Sequence, residues 1–256
     1  MMVPEAAPWF GTDKKRPHHY KGLRMKTDTH LHEQLEGLVS ELLPLETAEQ
    51  GKPQVLDLGC GEGALSQRLH DLGYEVVSVD VDPAQFKAEG PRFLAVDFND
   101  RSAVERFTNE YQGRPDLILA VEVIEHLQSP WDFLALCRKL CSPKTHLVIT
   151  TPNVASWWSR FWFFLTGELW GFNPESWSDP GHVNPITPTE MRGILRENGF
   201  ECLDVRAGGN LPVIWAYNWK RLLVSLLVLP FRLVMRGEKD GWVLCYHAKK
   251  SCPRSL

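Results

Sequence analysis

The chain has 256 residues, of which 43% are hydrophobic and 23% are charged, so it can bury one substantial core. Its formal net charge of −4 argues against the basic footprint of a nucleic-acid-binding protein. Six cysteines occur without a C-x-x-C pair, which predicts reduced thiols. The amino terminus lacks the basic-then-apolar layout of a signal peptide, so we expect a cytoplasmic location.

The order of the elements predicts an α/β protein. Residues 1–27 are rich in Pro, His, Lys and Arg without a clear period, which predicts an arm before a single domain over 28–256. Helical spacing of leucines follows in 28–49. Strands then alternate with helices, which favours a parallel sheet that is covered on both faces and binds its ligand at the carboxyl ends of the strands. The predicted strands lie near 54–58, 75–79, 92–96, 116–121 and 145–151.

The segment Val55–Gly63 reads as a strand, a tight glycine loop and the start of a helix. Such a loop brings backbone N–H groups against a nucleotide-like ligand. Asp57 and Glu62 place carboxylates in and beside the loop, which would repel a pyrophosphate but suit a ligand with ammonium and sulfonium charges. The glycine spacing alone also satisfies the dinucleotide pattern G-x-G-x-x-G/A, so both ligands stay open at this point.

Three further segments end in acids. The strand Glu75–Asp80 ends 17 residues after Gly63, and a carboxylate there can accept hydrogen bonds from both ribose hydroxyls. A later strand ends in Asp97, and the segment 116–127 contains Glu122 near the end of a buried run. Acids at the ends of successive strands indicate one ligand site.

Together these segments resemble the S-adenosylmethionine motifs of the class I (Rossmann-like) methyltransferases. Residues 116–127 resemble the subgroup that includes ubiquinone-biosynthesis O-methyltransferases and many small-molecule and glycan methyltransferases. The resemblance implies a seven-stranded, mostly parallel sheet with helices on both faces and an antiparallel last strand, which 241–248 would supply. It implies S-adenosylmethionine as cofactor and these cofactor-binding residues: Asp57, Gly59, Cys60, Gly61, Gly63, Asp80, Val81, Asp97, Phe98 and Glu122.

The resemblance also implies roles. Gly59–Gly63 would cradle the methionine moiety, with Asp57 near its ammonium group. Asp97 would accept from the adenine amine, Phe98 would pack on the adenine ring, and Glu122 would line the junction of cofactor and acceptor.

Residues 154–187 form an aromatic insertion that we predict to be a lid over the methyl acceptor. Five of the ten tryptophans of the chain lie in this insertion, within a stretch of 21 residues. Some of its phenylalanines can belong to the core. Broad, rigid indoles suit sugar faces, quinone rings and membrane interfaces. The predicted lid tryptophans are Trp157, Trp158, Trp162, Trp170 and Trp177.

The insertion closes with a stiff loop over 179–187 that presents His182, our candidate general base. Two alternatives are that His182 binds the acceptor, or that it holds the loop through a backbone carbonyl. Glu125 and His126 either form a polar loop after a buried strand or take a direct part in catalysis. No metal-ligand cluster is recognisable in the sequence, which favours metal-independent chemistry on oxygen.

The segment 211–236 contains no acid and four cations on one helical arc, Lys220, Arg221, Arg232 and Arg236. Only ten residues separate Arg221 from Arg232, against ~20 for a bilayer span, and Pro230 would interrupt a helix. The pattern predicts an interfacial helix with outward-facing cations. The alternative is a helix that packs on the domain or on another subunit.

We therefore expect a methyltransferase that O-methylates a membrane-linked or amphipathic small molecule, either a quinone precursor or a glycan, with peripheral contact to the inner face of a membrane. One alternative is a soluble small-molecule enzyme. Another is a cofactor-binding module without turnover, against which the intact glycines and acids argue.

Overall fold

The computed structural model describes residues 10–11, 18–28, 30–45 and 51–251. Its strands are β1 (Phe10–Gly11), β2 (His18–Tyr20), β3 (Leu23–Met25), β4 (Gln54–Leu58), β5 (Glu75–Asp80), β6 (Arg92–Ala95), β7 (Leu117–Val121), β8 (His146–Pro152), β9 (Phe200–Gly208), β10 (Ile214–Trp215) and β11 (Val243–Lys250). Seven of these strands form the central sheet, in the order β6-β5-β4-β7-β8-β11-β9.

The helices cover both faces of this sheet. They are α1 (Leu31–Leu42), α2 (Ala64–Leu72), α3 (Arg101–Tyr111), α4 (Pro130–Leu140), α5 (Trp157–Thr166), α6 (Pro174–Ser178), α7 (Pro188–Glu197) and α8 (Trp219–Val228), with short 3-10 helices at Ile124–His126 and Leu229–Leu233. One apolar cluster packs α3, α4 and α7 against the sheet, and a second packs α1, α2, α5 and α8 against the other face.

The sheet confirms the predicted fold class. Strands β4 to β8 pair in parallel, whereas β11 lies antiparallel between β8 and β9. All five strands of the predicted alternation are present within two residues of their expected bounds. Buried β-branched and leucine runs in β4 and β7 explain this agreement, because a strand covered on both faces is apolar throughout.

Local signals also set helix ends. Thr187 caps α7 and forms a capping box with Glu190, as Thr-Pro-Thr-Glu predicts. Helix α8 ends at Val228, two residues before Pro230, and continues as a 3-10 turn. Helix α1 is shorter than the predicted range 28–49, of which residues 46–49 lie outside the described part.

The hairpin of the predicted arm packs on α2, whereas β1 of the arm pairs in parallel with β10. Strands β2 and β3 form a hairpin whose Leu23 and Met25 bury against Ala64. The Tyr20 hydroxyl donates to Asp71 at 2.8 Å. Residues 18–27 therefore lie on the domain surface, and residues 1–9 and 12–17 lie outside the described residues.

The orientation predicted for the cations of 211–236 is wrong for two of the four. The Arg221 guanidinium lies between the rings of Trp158 and Trp215, 4.1 and 4.3 Å from their centroids. Arg232 is buried and pairs with Asp240 at 2.6 Å. Delocalised guanidinium groups stack on indole faces, which explains why Arg221 turns inward, and the ion pair with Asp240 holds Arg232 inward.

The outward side of the segment is therefore largely apolar. Trp219 is 70% exposed and Leu233 is 89% exposed, while the cations Lys220 and Arg236 are exposed among them. Across residues 10–11, 18–28, 30–45 and 51–251, no helix has the length and apolar content needed to cross a membrane.

Candidate active site

A cavity of about 760 Å³ lies at the carboxyl ends of the parallel strands. Nine of the ten predicted cofactor residues line it, and Gly63 does not: Asp57, Gly59, Cys60, Gly61, Asp80, Val81, Asp97, Phe98 and Glu122. The fold brings them together because successive parallel strands end at the same edge of the sheet.

The loop needs glycine at positions 59, 61 and 63, for two different reasons. Gly59 has φ +80°, and a Cβ there would lie 2.3 Å from a methyl group of Val123. A Cβ on Gly63, the N-cap of α2, would lie 2.7 Å from Phe86 and Ala88. At Gly61 a Cβ would approach no heavy atom closer than 3.9 Å, so its open side faces the cavity. Gly61 thus leaves room for a ligand, whereas Gly59 and Gly63 leave room for the protein.

Asp80 locks the loop from the neighbouring strand. Its carboxylate accepts from the backbone N–H groups of Gly61 at 2.8 Å and of Val81 at 2.7 Å. Two carboxylate oxygens offer about four acceptor sites, so Asp80 retains capacity for ligand hydroxyls in the cavity it lines.

Asp57 is buried beneath the loop and accepts from the Ser66 hydroxyl at 2.6 Å. Burial raises the pKa of Asp57 to about 6, against the lowering effect of the Ser66 hydrogen bond, and the charge of Asp80 adds to the rise. A cationic ligand group nearby would favour its charged form. Burial also raises the pKa of the Cys60 thiol well above its ordinary value, which makes the sulfur unreactive at neutral pH.

Glu62, the other acid of the loop, already has partners. It accepts from the Arg24 backbone N–H at 3.0 Å and pairs with Lys87 at 3.0 Å. These two contacts, the Arg24 hydrogen bond first, lower the pKa of Glu62. Its charge therefore serves the contact between loop and hairpin.

The remaining cofactor candidates lie at the ends of β6 and β7. Asp97 is exposed and accepts from the Asn99 backbone N–H at 2.8 Å, while the Phe98 ring packs 5.4 Å from Phe133. Glu122 adopts φ +55°, an uncommon value for a residue with a side chain. Thr150 holds it there, since the Glu122 N–H donates to the Thr150 hydroxyl and that hydroxyl donates to the Glu122 carboxylate, each at 3.0 Å.

A cluster of three side chains forms a second part of the site, in which His126 and His182 line the cavity beside the buried Glu125. Ligand atoms of Glu125, His126 and His182 all lie within 4.8 Å of one another. The Nδ1–H of His126 donates to the Gly181 carbonyl at 3.1 Å, and the Nδ1–H of His182 donates to the Gly171 carbonyl at 2.7 Å. Because a carbonyl only accepts, each ring carries a proton on Nδ1, and in its neutral form each ring has its lone pair on Nε2.

Glu125 is fully buried, and neither of its carboxylate oxygens makes a hydrogen bond of ordinary geometry with a described residue. Burial, followed by the charge of Glu122, raises its pKa well above the ordinary value. Burial, followed by the nearby His182, lowers the pKa of His126. Burial therefore favours the neutral form of both groups, and the cluster can accept a proton or ligate a divalent cation.

The tryptophans of the insertion do not form one lid. Trp170 lines the cavity, and its ring lies 5.6 Å from Trp242, which lines the cavity as well. Trp157 and Trp158 are buried in the core, and Trp177 is 63% exposed at the surface. Trp162 stacks 6.2 Å from Trp158, away from the cavity wall. Of the five predicted lid residues, only Trp170 lines the cavity.

Comparisons with known proteins agree with this geometry. The model of a methyltransferase domain family matches residues 27–205. A ubiquinone biosynthesis O-methyltransferase of Cereibacter sphaeroides is 30% identical over 178 residues, which cover 64% of this chain and 67% of that protein. The chain belongs to the methyltransferase domain family. Its cofactor is S-adenosylmethionine.

Solved structures share the fold. A SAM-dependent methyltransferase from Archaeoglobus fulgidus superposes with a TM-score of 0.55 at 20% identity, covering 86% of this chain and 94% of that one. The magnesium protoporphyrin IX methyltransferase of Synechocystis, solved with bound SAH, has a TM-score of 0.50 at 14% identity, covering 86% and 83%.

Sequence reasoning missed several residues of this methyltransferase's cavity. Arg24 to Thr27 line it, although they belong to the segment predicted as an arm, and so does Asp28, the next residue. His32 on α1 also lines it, and burial, with a smaller effect of Arg68, lowers its pKa to about 4. The apolar spacing of the helix around His32 indicated that this face is buried, but not that it ends at a cavity. Trp242 carried no signal beyond its position at the start of the last strand.

Proposed function

We propose that this methyltransferase transfers a methyl group to an oxygen of an amphipathic small molecule at a lipid surface. The observation that carries the proposal is the two-ended cavity. One end has glycines and acids, and the other has two indoles and the Glu125–His126–His182 cluster. The similarity to ubiquinone biosynthesis O-methyltransferases supports chemistry on oxygen.

The residues of the first end suit S-adenosylmethionine. Gly61 leaves the space that a methionine moiety would need, and Asp57 provides a buried carboxylate for an ammonium group. Asp80 would accept from the ribose hydroxyls while it holds the loop. Asp97 would accept from the adenine amine, and Phe98 would pack on the ring. When bound, the cofactor supplies an electrophilic methyl group on a sulfonium.

The residues of the second end would handle the acceptor proton. The lone pair on Nε2 of His182 would take the proton of the acceptor hydroxyl as its oxygen forms the new bond to carbon and the carbon–sulfur bond breaks. The Gly171 carbonyl would stabilise the resulting imidazolium through the Nδ1–H. Alignment of the reacting atoms is worth ~7–11 kcal/mol in such reactions, so positioning of the acceptor by the indole walls matters as much as the base.

The same three donors suit a divalent cation, and a chelator separates the two roles. We expect turnover to persist in excess EDTA, because proton transfer by His182 needs no metal. Activity that EDTA abolishes and Mg²⁺ or Zn²⁺ restores, in wild type but not in His126→Ala, would assign the cluster to a metal instead.

The acceptor class follows from the walls and from the surface. Trp170 and Trp242 offer flat apolar faces that suit an aromatic ring such as a quinone precursor, or a sugar ring of a glycan. The apolar outer side of α8 and its 3-10 extension would lie in the headgroup layer, with Lys220 and Arg236 near anionic lipid. A soluble acceptor remains the alternative if this surface does not bind lipid.

A labelled cofactor tests the function. Purified protein would be incubated with methyl-labelled S-adenosylmethionine and with the membrane and soluble fractions of a cell extract in parallel. We expect the label in an organic-extractable ether of the membrane fraction. Label only in the soluble fraction would establish the soluble alternative, and no label in either fraction would contradict the acceptor class proposed.

Vesicle sedimentation tests the surface. Wild type should sediment with phosphatidylglycerol vesicles at low salt, and Trp219→Ser with Leu233→Ser should not. Lys220→Gln with Arg236→Gln should weaken binding to anionic vesicles and leave binding to neutral vesicles unchanged, because these two cations would contact anionic lipid. Added salt should weaken the binding of wild type to anionic vesicles in the same way, since it screens those contacts. Leu203→Ser, on β9 and 49% exposed, is the matched control and should bind like wild type. Wild type that stays in the supernatant would contradict the lipid surface.

A further inference from the structure

A second cavity, of about 270 Å³, lies at the amino ends of β4, β5 and β6, at the opposite edge of the sheet from the catalytic cavity. Gln54, Glu75 and Arg92, the first residues of these three strands, line it. The last turns of α2 and α3 complete it with His70 and Tyr111. None of its lining residues has a role in the methyltransferase chemistry described above.

Three buried polar atoms at this cavity make no hydrogen bond with any described residue. They are the Tyr111 hydroxyl oxygen, Nδ1 of His70 and Oε1 of Gln54. Tyr111 is only 2% exposed, so water outside the cavity does not serve its hydroxyl. Buried polar groups are nearly always hydrogen-bonded, and three without protein partners around one cavity indicate a ligand with several polar atoms.

The charge around the cavity indicates an anion. Lys52, Arg92 and Arg114 line it, against the single carboxylate of Glu75. The guanidinium carbons of Arg92 and Arg114 both lie 5.9 Å from the centroid of the Tyr111 ring, which places two cations around the same buried phenol. Arg92 also pairs with Glu110, at 3.4 Å and with both side chains largely exposed, a weak contact that an anion can replace.

Two donors at this cavity are fixed, the Tyr111 hydroxyl in its protonation state and the His70 ring in its position. Burial is the main cause that raises the pKa of Tyr111, so its hydroxyl stays protonated and can donate. Gly90 has φ +110°, and a Cβ there would lie 2.5 Å from the His70 ring. The absence of a side chain at 90 lets the loop close on the imidazole beside the cavity.

We propose that this cavity binds a phosphate group, as inorganic phosphate or as the head of a small phosphate monoester. Guanidinium groups match the geometry of phosphate oxygens, and a neutral phenol and an imidazole can donate to the same oxygens. The volume suits a compact tetrahedral anion.

Calorimetric titration of inorganic phosphate into the full-length protein tests this site, with saturating S-adenosylhomocysteine to fill the catalytic cavity and ionic strength held constant. We expect saturable binding to wild type, at least tenfold weaker binding to Arg114→Gln, and several-fold weaker binding to Tyr111→Phe. Arg101→Gln is the matched control, because Arg101 lies on α3 with Tyr111, is 93% exposed and does not line the cavity. It should bind like wild type.

The melting temperature shows whether a variant that fails to bind phosphate is still folded. Tyr111→Phe removes an unpartnered buried hydroxyl, so without phosphate its melting temperature should equal or exceed that of wild type, while the rise on adding phosphate should shrink. Tighter binding of glycerol phosphate than of phosphate would identify a monoester, and equal or weaker binding would identify the free anion. No saturable binding to wild type, or equal binding to all variants, would overturn the proposal.

Discussion

The two ends of the catalytic cavity are built in different ways. The end with the glycine loop uses residues that directly follow their own strands, such as Gly59 after β4 and Val81 after β5. The end with the histidines joins His126, His182 and Trp242, which are far apart in the chain. A strand that ends at a turn fixes its side chains locally, whereas the second end depends on where a long insertion folds. The residues of the first end can therefore be predicted from the sequence, whereas those of the second end are identified only from the structure.

Replacement of His182 separates the two ends most sharply. If His182 Nε2 takes the acceptor proton, His182→Ala should lower turnover by ~10²–10⁴-fold and leave affinity for S-adenosylhomocysteine unchanged. His19→Ala, an exposed histidine of the hairpin, is the control for general effects of losing an imidazole. Normal turnover of His182→Ala would leave His182 the role of holding the loop at the Gly171 carbonyl.

Two alanine substitutions within the glycine loop should act in opposite ways. Gly59→Ala forces a methyl group against Val123 at positive φ and should lower the free energy of unfolding by about 2–4 kcal/mol. Gly61→Ala meets only the open cavity and should cost about 1 kcal/mol of stability while it weakens cofactor binding more than tenfold. Denaturant unfolding and calorimetry on both variants measure this. Equal effects of the two variants on cofactor affinity would show that Gly61 does not face the ligand.

Asp80 is expected to serve both the loop and the ribose. Asp80→Asn removes the charge and one acceptor, so cofactor affinity should fall by about 2 kcal/mol. Asp82→Asn is the control, because the Asp82 side chain accepts from the Ala84 N–H and the Gln85 side-chain amide and does not line the cavity. Affinity of Asp80→Asn equal to that of the control would show that Asp80 is not the ribose ligand.

The buried Asp57 predicts a pH dependence of stability. Its pKa in the folded protein, about 6, is above the ordinary value, so the folded state holds the proton more tightly than the unfolded state. That contribution is complete below about pH 4 and is lost as the pH rises through 6, a change of about 3 kcal/mol. Without cofactor, wild type should therefore lose stability relative to Asp57→Asn between pH 4.5 and 7.5. If the difference in free energy of unfolding between wild type and Asp57→Asn stays constant over this range, that result would contradict the burial of an ionisable Asp57.

Much of the fold was predictable because its signals are local. The apolar runs of β4 and β7 and the capping residues of α7 each specify an element without distant contacts. The placement of Asp57 and Asp80 was predictable for the same reason. An acid near the carboxyl end of a buried parallel strand lies at the edge of the sheet where the carboxyl ends of the other parallel strands lie.

The remainder depends on tertiary contacts that periodicity does not encode. A helical projection places Arg221 on a polar arc, but stacking between Trp158 and Trp215 turns it inward. Likewise the density of tryptophans predicts that indoles matter, but Trp157 fills the core while Trp242, outside the insertion, lines the cavity. The Glu125–His126–His182 cluster was invisible because 56 positions separate the two histidines.

The most direct test of the account is a crystal structure of the protein with S-adenosylhomocysteine. The account predicts the ribose on Asp80, the adenine beside Asp97 and Phe98, and the sulfur directed toward His182, with room between them for one acceptor oxygen and a methyl group. A sulfur that points away from the Glu125–His126–His182 cluster, or a ribose without contact to Asp80, would contradict it.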